Sequence, residues 1–185
     1  MDKRTRLINQ IVNGEYSMFL HIPGQYPTTS QESEAGFRLA RASAFECWSE
    51  ATLASYAQDI AEGMHDGRNF MTEKYARMDN LIPPINTSPL IHKIVAIEVN
   101  WQEGLRSKYP RFFKQGAGGS DFATYLRSEL ETYSDRTLQC YFQDVSRAQE
   151  EGRNLAGERY LKMIGRLGYK SIEDYERKLA TEQAG

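Results

Sequence analysis

Glu15 and Glu98 have the residue type and spacing to do chemistry. Glu15 follows Ile11 by four residues and Ile8 by seven, and Glu98 follows Ile94 and Ile91 at the same spacings. On a helix, each carboxylate therefore shares a face with aliphatic side chains. An unpaired carboxylate in such surroundings costs several kcal/mol, so each needs a cation or a hydrogen-bond donor. Two runs of Gly-Arg-Asn, Gly67–Asn69 and Gly152–Asn154, supply Arg68 and Arg153 as natural partners. Such pairs either lock helix ends or face a pocket. Glu73 and Glu158 stand four residues before Arg77 and Lys162, the favourable order for an exposed helical ion pair. Asp59 and Asp144 share a face with Thr52/Tyr56 and Thr137/Tyr141, where hydroxyls and carboxylates can hold one another or line a polar pocket.

Inward carboxylates in a helical protein raise the question of a carboxylate-bridged metal pair, which normally adds two Glu-x-x-His motifs. Only Glu62–His65 has that form, its counterpart reads Arg147-Ala-Gln-Glu150, and the chain has three histidines. The spacing disfavours a metal centre. No P-loop, dinucleotide loop, nucleophile elbow or zinc pattern occurs. Ser43, Ser49, Ser134 and Cys47 are conceivable nucleophiles, but such residues more often cap or pack helices. The stretch from Arg106 to Lys114 places four cations among Tyr109, Phe112 and Phe113. It could grip phosphates and stack on bases, or be a solvated linker with its aromatics tucked inward.

The elements that position these residues come in duplicate. Residues 46–78 laid on 131–163 give thirteen identities in 33 positions, where roughly two are expected by chance. Leu7-Ile8-x-x-Ile11-Val12-x-x-Glu15 returns as Leu90-Ile91-x-x-Ile94-Val95-x-x-Glu98. Duplication of this kind decides the architecture. Apolar spacing is helical nearly everywhere, so the expected fold is all-α: a single-domain bundle of eight or nine helices. Two similar units, about 5–80 and 88–165, are followed by a C-terminal helix at 171–182. The helices are expected at Lys3–Leu20, Ser33–Trp48, Ser49–Asp66, Asn69–Asp79, Ser88–Lys108, Ser120–Thr132, Ser134–Glu151, Asn154–Leu167 and Ile172–Thr181. Pro110 should stop the fifth near Lys108. Gly67 and Gly152 suit helix ends, and Asn69 and Asn154 suit the caps that follow.

Bulk properties set outer bounds. The chain has 185 residues and a net charge of −2, so no global positive field draws it to nucleic acid. Two cysteines without metal spacing suggest a reducing compartment. Without a membrane span or a signal-peptide core, a cytoplasmic location is expected.

The run Gly67-Arg-Asn-Phe-Met-Thr-Glu-Lys-Tyr-Ala-Arg-Met78 closely resembles the signature of family 4125 of the domains of unknown function. Glu15–Phe19, Arg41–Ser43, Trp48, Tyr125–Leu130 and Leu167–Ser171 extend the resemblance over nearly the whole chain. Similar fungal proteins include the arginine-containing cyclodipeptide synthases, which couple arginine with a second amino acid from aminoacyl-tRNAs. The resemblance thus implies an aminoacyl transferase that makes a cyclo-Arg-Xaa diketopiperazine. Its partner would be an aminoacyl-tRNA (arginyl-tRNA), and no cofactor or metal would be needed. Where that family carries an Asp-Asp…Thr-Phe stretch, this chain has Glu32-Ser33-Glu34-Ala35-Gly36-Phe37. Glu32, Glu34 and Glu73 are the implied catalytic residues. Glu15, Arg41, Arg68, Tyr75, Glu98, Tyr125, Arg127 and Glu129 are the implied substrate-binding ones. The rival expectation is a non-catalytic helical binding or scaffold protein.

Overall fold

A computed structural model describes residues 1–23, 33–115 and 122–182. Among them are ten α-helices and no strand: α1 (Lys3–Leu20), α2 (Glu34–Phe45), α3 (Glu50–His65), α4 (Phe70–Met78), α5 (Pro89–Lys108), α6 (Pro110–Gln115), α7 (Phe122–Leu130), α8 (Asp135–Glu150), α9 (Leu155–Gly165) and α10 (Ile172–Glu182). The all-α expectation holds.

Local chemistry sets most of the boundaries. Ser49, Asn69, Ser134 and Asn154 each accept a backbone N–H from three residues on, and so cap α3, α4, α8 and α9. Gly67 and Gly152 take φ of 73° and 67°. In each case the next residue's N–H reaches back to close the preceding helix: Arg68 to Gly63 O and Arg153 to Ala148 O, both at 2.8 Å. The expected turn chemistry is therefore present in both copies.

Most helix ends fall within two residues of expectation, and two features depart further. The second helix ends at Phe45 rather than Trp48, and Trp48 turns inward between Tyr56 and Tyr141. A tenth helix, α6, stands where Pro110 was expected only to end α5. Proline at the first helical position lacks an N–H that would be orphaned there anyway. Glu176 on α10 accepts the next two, from Arg111 at 3.0 Å and Phe112 at 2.7 Å.

The copies are related by position: α1, α2, α3 and α4 correspond to α5, α7, α8 and α9. Helices α3 and α8 pack on each other at the centre, flanked by α1 and α5. The outer helices then cross over, with α4 lying on α7 of the second copy and α9 on α2 of the first. Ile11, Leu53, Tyr56, Ile94, Leu138 and Val145 fill the shared core and are almost wholly buried. Each such aliphatic side chain stabilises the fold by about 1.5–3 kcal/mol. Helices α6 and α10 add a second, smaller core around Tyr109, Ile164 and Ile172.

Polar contacts follow the same crossover. Asp144 accepts from Ser49 N at 2.9 Å and Thr52 Oγ1 at 2.6 Å. Asp59 accepts from Ser134 N at 3.0 Å. The aspartates thus bind the cap of the opposite copy's central helix, rather than the threonine and tyrosine of their own.

Candidate functional site

Glu15 projects from α1 into the interior and is fully buried. Its partner is Arg41 from α2, not Arg68. Arg41 Nε and Nη2 donate to Glu15 Oε2 and Oε1 at 2.7 and 2.6 Å. The same guanidinium donates through Nη2 and Nη1 to Glu129 Oε1 and Oε2 on α7, at 3.0 and 3.3 Å. One planar fork therefore meets four carboxylate oxygens, the strong bidentate arrangement. The Phe45 ring lies 4.9 Å from the guanidinium carbon.

The carboxylates are held from behind. The Tyr56 hydroxyl on α3 donates to Glu15 at 2.8 Å, and the Tyr133 hydroxyl donates to Glu129 at 3.1 Å. Lys74 on α4 donates to Glu129 at 3.3 Å and to the Tyr125 hydroxyl at 3.2 Å, with the Tyr125 ring 4.6 Å away. Two acids and two bases balance, which makes so buried a set tolerable.

Electrostatics fix the charge states. Burial pushes the Glu129 carboxyl up, but Arg41 and Lys74 outweigh it and hold it well below the usual carboxylate range. Burial works against the charged form of Lys74, yet Tyr125 and Glu129 keep its ammonium well above its ordinary value. Burial, with Glu15 and Glu129 nearby, raises the Tyr56 and Tyr133 phenols well above theirs. Lys74 and Glu129 thus stay charged, and the two phenols neutral, across the physiological range. The set can orient a charged group; none of these four is poised to trade protons near neutrality.

Glu98 has a separate environment in the second copy. It is fully buried, accepts from the Tyr141 hydroxyl, and accepts from Arg159 Nη2 at 3.1 Å. Arg153 is not its partner. The arginines of both Gly-Arg-Asn runs instead pair five residues on. Arg68 donates to Glu73 at 2.9 and 2.7 Å, and Arg153 donates to Glu158 at 2.8 and 2.9 Å. They leave the left-handed turn on the outside of the bundle, so they clamp the start of the next helix and cannot reach the core.

This clamp also corrects the expected Glu73–Arg77 and Glu158–Lys162 pairs. Arg77 crosses to Glu131 at 2.6 Å, and Lys162 to Glu46 at 3.7 Å.

The other expected site residues scatter. Glu34 is exposed in the first turn of α2 and pairs with Arg38 at 2.8 Å. Glu32 lies outside the described residues. Tyr75 is half-buried on α4, with the Lys74 ammonium 5.2 Å from its ring. Arg127 is exposed on α7, 3.5 Å from Thr124 Oγ1. Of the expected set, Glu15, Arg41, Tyr125 and Glu129 meet in one place. Arg68 and Glu73 meet in another, beside an open cleft of about 220 Å³ lined by Asp59, Glu62, Asp66, Arg68 and Glu131.

Sequence reasoning missed Lys74 and its counterpart Arg159. The signal was there: both motifs carry a cation between the repeated glutamate and tyrosine, conserved in charge though not in identity.

Part of the basic-aromatic stretch is engaged within the chain, while Arg106 and Lys114 are exposed. Lys108 and Tyr109 meet Glu173, Arg111 meets Glu176, and Phe112 and Phe113 pack against Tyr160. Among the described residues, no group of three or more His, Cys, Asp or Glu could hold a metal ion, and Glu62 and His65 are exposed on α3. No helix among them is long and apolar enough to cross a membrane.

The model of the family described as "Protein of unknown function (DUF4125)" matches residues 5–177. No curated protein and no solved structure matches the chain. With the repeated motifs inside that span, the chain belongs to the DUF4125 family.

Proposed function

We propose that the chain is an aminoacyl-tRNA-dependent cyclodipeptide synthase, or a related aminoacyl transferase, that uses arginine and makes a cyclo-Arg-Xaa diketopiperazine. The observation that carries this reading is the pair Glu15–Glu129, whose four oxygens are disposed around a single guanidinium. Arginine is the amino acid that such a fork selects, because its planar donors match paired carboxylates. Fixed charges of this kind would bind and orient an aminoacyl group, and transfer would draw on positioning.

The test is expression in a bacterial host, followed by mass spectrometry of the medium for cyclo-arginine dipeptides. The reading predicts a product that is absent from the empty-vector control, together with a gel shift on adding charged tRNA. The absence of both product and shift would overturn it.

A second reading is a non-catalytic helical binding or scaffold protein. What favours it is that Arg41, Lys74, Glu129 and Glu15 neutralise one another inside the bundle, as a purely architectural network would. A protein that gives no product but keeps the fold would support this reading.

A further inference from the structure

The two copies are close to symmetric in scaffold but not in the charged set. With the spacing that superimposes their motifs, Arg41 of α2 corresponds to Leu126 of α7, and Glu129 of α7 corresponds to Ala44 of α2. Both helices end at equivalent residues, Phe45 and Leu130, so the correspondence holds through this stretch. Glu15 and Glu98 are equivalent, and so are the tyrosines that bond them, Tyr56 and Tyr141. The scaffold therefore needs neither an arginine at position 41 nor a glutamate at 129. In the second copy, the Lys74 counterpart Arg159 is the cation that meets Glu98. The site around Glu15 thus has one added guanidinium, from α2, and one added carboxylate, from α7 of the other copy, on an otherwise common frame.

The added carboxylate is held by residues outside α2, whereas the added guanidinium comes from α2 itself. Glu129 is anchored by Lys74 and Tyr133, and Glu15 by Tyr56. All of these lie outside α2, so the acidic fork stands without that helix. Helix α2 packs on α1 and α9 and fully buries only Ser43 and Phe45. Its carboxyl end is pinned, with Arg166 donating to Ser43 Oγ at 2.7 Å and Lys162 facing Glu46. Its first residues, Glu34 and Ala35, are exposed. Between the two ends, Arg38 donates to Asn13 of α1 at 2.7 Å and the Phe37 ring lies 5.5 and 5.2 Å from those of Tyr16 and Phe19. Freeing Arg41 would require α2 to give up these contacts with α1, and would leave four carboxylate oxygens facing the gap.

We propose that Glu15 and Glu129 form a guanidinium receptor whose resident occupant is the chain's own Arg41, and that an arginine-like ligand takes its place by displacing α2. This rests on the arginine reading above and adds an internal competitor to it. An occupant present in every molecule lowers the apparent affinity by the fraction of time the fork is open. Removing it should therefore tighten binding.

The experiment replaces Arg41 with the residue of the second copy, Arg41→Leu. Variant and wild type are titrated calorimetrically with L-arginine methyl ester, which presents the guanidinium on an esterified amino acid as a charged tRNA does. L-lysine methyl ester is the control. The expected result is binding about tenfold or more tighter in the variant, with little response to the lysine ester. In the wild type, saturating arginine ester should speed amide exchange in residues 34–45 and leave α8 unchanged. Equal affinity in the two proteins, no binding by the folded variant, or undisturbed α2 exchange in a ligand-bound wild type would overturn the proposal. If Arg41→Leu does not fold, the exchange measurement on the wild type decides alone. The product assay separates the two ideas. A cyclo-arginine product from a protein that binds no ester leaves the synthase reading standing and ends the receptor. Ester binding and α2 release without product do the reverse.

Discussion

Lys74 and Arg159 occupy equivalent positions in the two copies, yet Lys74 serves Glu129 of the opposite copy while Arg159 serves Glu98 of its own. The same scaffold cation has been turned to different carboxylates. In the first copy that frees Glu15 for Arg41.

Lys74 is nearly fully buried, so Lys74→Met should leave Glu129 short of a counter-charge. A loss of about 3–5 kcal/mol is expected for breaking a buried pair from one side, read as a shift in the urea unfolding midpoint at unchanged slope. Arg68→Ala is the contrast. Its pair with Glu73 is partly exposed, and removing it should cost about 1 kcal/mol or less.

Stability should fall in acid through Glu129. Its folded value is depressed below the ordinary 4.5, so its contribution is fully present above about pH 4.5 and is lost as pH falls through the folded value. Urea midpoints at pH 7 and pH 3 should differ more for the wild type than for Glu129→Gln. An equal drop in both would assign the acid sensitivity to other groups.

Two glycines should respond in opposite directions to alanine. A Cβ at Gly14 would stand 2.4 Å from Ile60 Cγ2, which forces α1 and α3 apart, and the cost should be about 1–3 kcal/mol. Gly104 in α5 has nothing within 4 Å, so Gly104→Ala should stabilise the protein by up to about 1 kcal/mol. Thermal melts of both variants against the wild type give the signs.

Cys47 should be slow to alkylate. Burial pushes its thiol up to about 11, so at pH 8 roughly one molecule in a thousand carries the reactive thiolate. Iodoacetamide labelling followed by peptide mass spectrometry should leave Cys47 largely unmodified on a timescale that consumes a free model thiol. Rapid labelling of Cys47 at pH 8 would count against the buried thiol.

The fold was readable because its information is local. The spacing of Ile8, Ile11 and Glu15, the Ser and Asn caps and the left-handed glycines all act within a few residues, and the duplication doubled each signal. Helix α6 was hidden because what completes it is Glu176, more than sixty residues away. The site was half readable for the same reason. Glu15 announced itself by lying on an apolar face, and that face predicted a buried partner. Which cation answered was not legible: Arg68 was closer by motif, but its turn aims it outward, while Arg41 comes from a separate helix packed on α1 and on α9 of the other copy. Lys74 was masked by the difference between lysine and arginine, which an identity count treats as a mismatch.

The exchange of α4 and α9 between the copies bears on how the chain is made. A polypeptide emerging from the ribosome completes α1 to α4 while Glu129, Glu131 and Ser134 have yet to be synthesised. Until they arrive, Lys74 and Arg77 have no carboxylate across from them and Asp59 has no helix start to hold. The first half therefore lacks these pairings until the second is made, although domains commonly fold in order of synthesis. The charged contacts that join the two halves can form only once α7 and the start of α8 are out.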